Sequence, residues 1–212
     1  MTGSAPTQDL TRWISAFEAA LARCDIEAAA DLFLPDGFWR DYLAFTWNLV
    51  TAEGHAAIRD MLQGSLAAAA PAQWQVIGGA REAEGVVEGR ASFATATARC
   101  DAVIRLRDGK AWTLLTSMRE LRDHEEEIGP RRPLGHPERY AIGRKSWRRQ
   151  REAERAAIGT TRQPYCVIVG AGQGGLGLGA RLNRLDVPTL LIDRQARPSD
   201  TWRNRHESLS LH

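Results

Sequence analysis

Gly170-Ala171-Gly172-Gln173-Gly174-Gly175 is the stretch whose residue types and spacing prescribe a chemistry. It fits G-x-G-x-x-G at 170, 172 and 175. It follows the apolar run Tyr165–Val169 directly and opens a helical pattern over Leu176–Leu185. Val187–Ile192 then reads as a second strand and ends in Asp193. Each part suits the pyrophosphate of a dinucleotide. Gly170 permits the tight turn out of the strand, Gly172 lets phosphate approach the backbone, and Gly175 lets helix pack close to strand. Helix-terminal N–H groups and the helix dipole favour the phosphate charge. Asp193 follows Gly175 at close to the roughly 20-residue spacing of an acid that bonds ribose hydroxyls. Its charge disfavours a phosphate on the 2′ oxygen.

The elements that must position this loop are a buried parallel strand and an inner helix face. Tyr165–Val169 predicts a strand covered on both sides, and Leu178, Leu182 and Leu185 predict the face of the following helix. The chain before it has a different character. Leu10, Trp13, Ile14, Phe17 and Leu21 form one helical stripe. Asp25 predicts the N-cap of a second helix over 26–34, which Pro35, Asp36 and Gly37 then break. Phe38–Thr46 reads as extended, and Glu53–Leu66 as a third helix. After Pro71 come the strand-like runs Gln73–Ala80, Gly85–Thr97, Arg99–Arg107 and Lys110–Leu121. Trp74 and Trp112 read as sheet core. Asp108-Gly109 marks a hairpin. Helices followed by an antiparallel sheet give an α+β domain over 1–122. Residues 123–163 read as a charged connector with a helix over Arg144–Ile158, and 164–212 as the opening βαβ unit of a dinucleotide-binding domain.

The flanks of the glycine loop resemble flavin-containing monooxygenases and related flavoprotein oxidoreductases. The resemblance is carried by Cys166-Val-Ile-Val-Gly-Ala-Gly-Gln-Gly-Gly-Leu, Leu191-Ile192-Asp193 and Asp200-Thr201-Trp202-Arg203-Asn204-Arg205. Ser199 stands where that family usually has Gly, and His206 where Tyr is common. The resemblance implies FAD as cofactor, held by Gly170, Ala171, Gly172, Gln173, Gly174, Gly175, Asp193, Arg194, Trp202 and Arg203. It also implies an NAD(P)H-using oxidoreductase, a monooxygenase in which NADPH reduces the flavin. No second G-x-G-x-x-G and no F-x-G-x-x-x-H stretch occurs within the 212 residues, so the NADPH site is expected outside them. The sequence reads as the N-terminal portion of such a protein, inactive alone, and it names no catalytic residue.

Trp13…Phe17…Ala20, Ala28–Phe33 and Phe38-Trp39-Arg40-Asp41 resemble the cone-shaped α+β domains of the nuclear-transport-factor and polyketide-cyclase-like superfamily. That resemblance implies helices packed on a curved antiparallel sheet and a possible homodimer through this domain. It also implies a pocket for an unknown small molecule, lined by Trp39, Asp41, Tyr42, Trp47 and His55. Asp41 reads first as a strand-end carboxylate and His55 as a helix cap. The alternative function is therefore a non-enzymatic ligand-binding or dimerisation module with a vestigial βαβ tail.

Composition bounds the rest. A net charge of +2 and 25% charged residues imply no acidic partner. The basic stretch Arg139–Arg155 is interleaved with Glu152 and Glu154, which favours a salt-bridged connector over nucleic-acid binding. No apolar run approaches the length of a membrane span, and no basic and apolar leader opens the chain. Cys24, Cys100 and Cys166 are far apart, as suits reduced thiols and a cytoplasmic location. His124 belongs to a solvated acidic cluster with Glu125–Glu127, and the five histidines show no metal-ligand spacing.

Overall fold

The computed structural model describes residues 4–132, 146–185, 187–197 and 200–204; of Thr201 and Trp202 it describes the backbone alone. The chain divides into two compact units, Met1–Glu125 and Glu126–His212.

In the first unit the expected stripe forms α1 (Ala5–Ala22), which buries Leu10, Trp13, Ile14, Phe17, Ala20 and Leu21. Pro6 sits in the first turn, where its missing N–H costs nothing. Asp25 caps α2 (Ile26–Asp31) by accepting from the Ala28 N–H at 3.0 Å. The helix ends at Asp31, earlier than the sequence pattern suggests. Pro35, Asp36 and Gly37 lie within β1 (Phe33–Tyr42). They are accommodated because the ladder register shifts between Phe33 and Phe38, so Pro35 owes no N–H to a partner. A Cβ on Gly37 would stand 2.9 Å from the Ala111 carbonyl, so only glycine fits that bulge.

A short strand not anticipated from the sequence, β2 (Leu49–Glu53), pairs antiparallel with β1. α3 (Gly54–Ala69) follows. The sheet continues with β3 (Ala72–Ala83), β4 (Val86–Ala94), β5 (Ala98–Arg107) and β6 (Lys110–Leu121). Asp108 and Gly109 both take positive φ, 53° and 76°, as the mirror-image hairpin turn requires. Glu84 and Gly85 make the same turn between β3 and β4 (54° and 74°).

The strand order is β2-β1-β6-β5-β4-β3. Every pair is antiparallel except β1–β6, which is parallel, so the sheet is mixed rather than wholly antiparallel. Helix α1 packs over β3 and β4, and α3 over β1 and β2.

The core between them is aromatic. Phe17 stacks on Trp13 at 4.8 Å and meets Phe33, Trp39 and Trp74 edge-on at 5.6–5.9 Å. Trp74 stacks on Phe93 at 4.0 Å. Trp112 is half-buried instead, with the Arg107 guanidinium 4.3 Å over its ring.

In the second unit Ser146 caps α4 (Trp147–Ala157), none of whose residues is buried. The helix is held locally, by Arg148–Glu152 at 2.8 Å and by Arg151 over the Trp147 ring. β7 (Cys166–Val169), α5 (Gln173–Arg184) and β8 (Thr189–Ile192) form a βαβ unit with the two strands parallel. Residues of the expected connector fold with this unit: Glu126 meets Arg181 and Arg184, at 2.5 and 3.3 Å. Glu125 pairs with Arg99 in the first unit, at 2.6 Å. A four-residue helix, α6 (Asp200–Arg203), ends the described chain. No helix among the described residues is long and apolar enough to cross a membrane.

The buried Cys100 reports on this packing. Burial pushes its thiol from the ordinary 9.0 to about 12, and the Asp41 carboxylate adds to the effect. The unfolded chain therefore releases this proton first as pH rises. The thiol's contribution to stability is complete below 9.0 and is lost as pH climbs towards about 12. Denaturant unfolding across that range should show the native chain losing stability relative to Cys100→Ala. In the folded protein a thiol reagent should label exposed Cys24 and spare Cys100 until unfolding. Equal labelling rates would contradict the assignment.

Candidate functional site

The glycine turn of the second unit is built by two contacts. Gly170 takes φ +107°, open to glycine alone, and its N–H donates to the Ile192 carbonyl at 2.7 Å. A Cβ on Gly175 would lie 1.8 Å from the Gly170 carbonyl oxygen, so α5 starts hard against the turn. Gly172 is different. It caps α5 with φ −74° and ψ −173°, which any residue adopts, and nothing lies within 4 Å of its Cβ position. Gln173 and Gly174 are exposed beside it. No side chain caps this helix, so its first N–H groups are open to an acceptor.

Asp193 faces the turn from the end of β8. Its carboxylate accepts from the Ala171 N–H at 2.5 Å and the Gln195 N–H at 2.6 Å. These two bonds, Ala171 first, hold the carboxyl below the usual aspartate range, and neighbouring Arg194 adds to them. Ala171 is buried and Arg194 exposed.

Arg203 pairs with Asp200 at 3.0 Å, and Arg197 with the same carboxylate at 3.3 Å. Burial alone would raise the Asp200 carboxyl; Arg203 and Arg197 outweigh it and lower it. Arg203 thus helps to hold its own helix. The Trp202 side chain lies outside the described residues, as do Ser199, His206 and the connector residues 133–145, including His136 and Arg139.

The surroundings depart from expectation in two respects. Leu178 and Leu185 are exposed, and the helix face on the sheet is made by Gly175, Gly179 and half-buried Leu182. Val167 and Val169 are exposed while Ile168 is buried, because a two-stranded sheet with one packed helix covers a single face. A cleft of about 920 Å³ runs from Ala171 and Asp193 along β8, between α5 and the Arg151–Arg155 face of α4.

In the first unit the five expected pocket residues do not converge. Trp39 and Asp41 are fully buried. The Asp41 carboxylate accepts from the Phe45 N–H, the Thr46 N–H at 2.9 Å, the Thr46 hydroxyl at 2.8 Å and the Thr116 hydroxyl at 2.7 Å. Thr116 in turn accepts from Trp39 Nε1 at 2.9 Å. Asp41 is therefore a tie between strands β1 and β6 and the turn at 43–48, with its oxygens engaged internally. Tyr42 is exposed. His55 bonds the Phe33 carbonyl through Nε2 at 3.0 Å and stands 3.9 Å from Asp31, so it joins α3 to the start of β1. Trp47 alone of the five lines a groove, about 580 Å³ in volume, between the 45–52 segment and α3. Thr116, Phe45 and Met61 were not among the expected site residues, although Met61 lies on the apolar stripe of the third helix. Only the regular spacing of α3 could have pointed to Met61. Among the described residues no cluster of His, Cys, Asp or Glu could hold a metal ion.

Two substitutions separate these roles. Gly175→Ala should disrupt the βαβ unit, read as lost amide protection over 166–192 with protection in the first unit unchanged. Asp41→Ala should cost about 3–5 kcal/mol, because it strands buried donors that the carboxylate satisfied, measured by denaturant unfolding. A loss below about 0.5 kcal/mol would mean the network is not a structural tie.

Residues 14–114 match the family model of the SnoaL-like domain, and the match lies wholly within the first unit. No curated protein matches the chain. Solved structures that the chain is similar to include a ketosteroid isomerase-like protein from Erwinia carotovora atroseptica. It is 12% identical, with 55% of this chain and 98% of that one covered and a TM-score of 0.46. A second is ActVI-ORFA from Streptomyces coelicolor, 15% identical, with 52% and 95% covered and a TM-score of 0.41. A third is a polyketide cyclase homologue from Sinorhizobium meliloti, 16% identical, with 52% and 98% covered and a TM-score of 0.41. The matched region, Ile14 to Leu114, is similar to the SnoaL-like domain, and it holds Asp41 and the groove at Trp47 but not the glycine turn.

Proposed function

We propose that the chain works by recognition, through two separate parts. The βαβ unit takes the diphosphate of FAD, and the SnoaL-like domain is a module without acid–base chemistry of its own. In this reading the chain is the N-terminal portion of an FAD-dependent, NAD(P)H-using oxidoreductase, a flavin monooxygenase.

The observation that carries the FAD assignment is the division of labour among the glycines. Gly170 and Gly175 are required by the fold itself, whereas Gly172 has open space at its Cβ and an ordinary backbone. A glycine that the fold does not need, at an uncapped helix start, suits close approach of a phosphate. The N–H groups of 172–175 would hold the diphosphate, and Asp193 the adenosine ribose, with Arg194 and Trp202 beside it by resemblance. When bound, the flavin would supply electron transfer from nicotinamide to oxygen. This chain's residues bind and orient it.

The second reading is a ligand-binding or dimerisation module in the SnoaL-like domain, with the βαβ unit as a passive tail. The family match, confined to the first unit, favours it. So does Asp41, whose engaged carboxylate supports binding rather than proton transfer in this domain. A reducing cytoplasmic setting suits the three free thiols. The Arg–Glu pairing on α4 suits a protein that does not bind nucleic acid.

Titration of FAD into the 212-residue protein, followed by quenching of flavin fluorescence, distinguishes the two. The first reading expects saturable quenching that is lost in Gly172→Val. That variant has room to fold, so its loss reports on the ligand. Absence of quenching, or equal binding by the valine variant, leaves the SnoaL-like module as the working part.

A further inference from the structure

The turn that Asp41 ties down carries backbone conformations that its sequence does not favour. Leu43 and Trp47 take φ of 67° and 54°, the left-handed region, without being glycine. Such conformations persist where the surroundings over-determine them. Here the fixing group is the fully buried Asp41 carboxylate, bonded to Phe45, Thr46 and Thr116. In this turn the Trp47 side chain is 58% exposed.

Trp47 stands at the edge of the 580 Å³ groove, a volume within the usual range for small-molecule sites. The floor is apolar: Phe45, Ala52 and Met61 are buried beneath it. The α3 wall is made of small residues at helical spacing, Ala57, Gly64 and Ala68, and nothing occupies the space at the Gly64 Cβ position. Of the twelve lining residues one is charged, Asp60. Asp60 is exposed and has no hydrogen bond or ion pair among the described residues. An indole face is the negative part of its ring and attracts cations. The groove thus offers a flat apolar channel with a carboxylate and a π face, both complementary to positive charge.

We propose that this groove is a binding site for a flat, apolar amine. The ring system lies between Trp47 and the Gly64 face of α3, and the ammonium group meets Asp60. The site is independent of the glycine turn, since all of its residues belong to the first unit.

Proflavine, a flat cationic dye, tests the proposal on the whole 212-residue protein by fluorescence anisotropy. The anionic dye anilinonaphthalene sulfonate serves as comparator. Saturable one-to-one binding of proflavine and none of the anion is expected. Gly64→Leu fills the groove while replacing a poor helix former by a good one, so the fold is retained, as circular dichroism would verify. It should weaken proflavine roughly tenfold or more, and Asp60→Asn should weaken it several-fold and remove most of its salt dependence. Equal binding of the two dyes, no saturable proflavine binding, or wild-type affinity in Gly64→Leu or Asp60→Asn each overturns the proposal.

Discussion

A carboxylate with no access to water must find its hydrogen bonds inside the protein or lose its charge. Asp41 finds them on two elements, the turn that follows its own strand and, 75 positions away, Thr116 on β6. Asp41 and Thr116 are also direct partners across the one parallel ladder of the sheet. The hydroxyl of Thr116 therefore passes the interaction on to Trp39, whose ring packs between Phe17, Phe33 and Phe45. Ladder register, aromatic core and turn geometry share this single satisfied charge. An isolated buried charge is a poor way to stabilise a fold, but one with every bond made specifies a unique arrangement around it.

The second unit follows a different logic. Its geometry is set by absences of side chains, at Gly170 and Gly175, and by a carboxylate that bonds backbone N–H groups rather than side chains. Among its described residues little apolar surface is buried: Ile168 and Ala171 are the buried apolar residues of its strand and turn. The first unit is specified by packing, the second by local backbone chemistry.

Legibility in the sequence divides along the same line. The stripe on α1, the Asp25 cap, the Asp108-Gly109 turn and the strand–glycine–helix–strand order are local patterns, and each appears in the structure near its expected position. Boundaries shifted where tertiary contacts overrode local signals. Pro35-Asp36-Gly37 reads as a helix stop but forms a bulge inside β1, because β6 supplies a ladder that skips it. β2 is only five residues long, and its apolar Leu49, Val50 and Ala52 do not alternate. The parallel β1–β6 pairing was not legible, nor was the bond between Asp41 and Thr116, 75 positions apart. In the second unit the backbone turn of the glycine stretch was legible. For the first unit the residue types were recognised but not their directions: Trp39 and Asp41 point into the core and Trp47 out of it.

The parallel pairing of β1 with β6 also bears on how the chain folds. Strands β3 to β6 succeed one another, the outer pairs joined by two-residue turns of the favoured hand, so their contacts close small loops. β1 can add only after β6 exists, across a separation that makes loop closure slow. We expect docking of β1, and with it the Asp41–Thr116 bond, to fall on the native side of the folding barrier. Weakening that bond would then accelerate unfolding more than it slows folding. The interaction that shapes the groove is by this account a latch, and the lifetime of the native state depends on it.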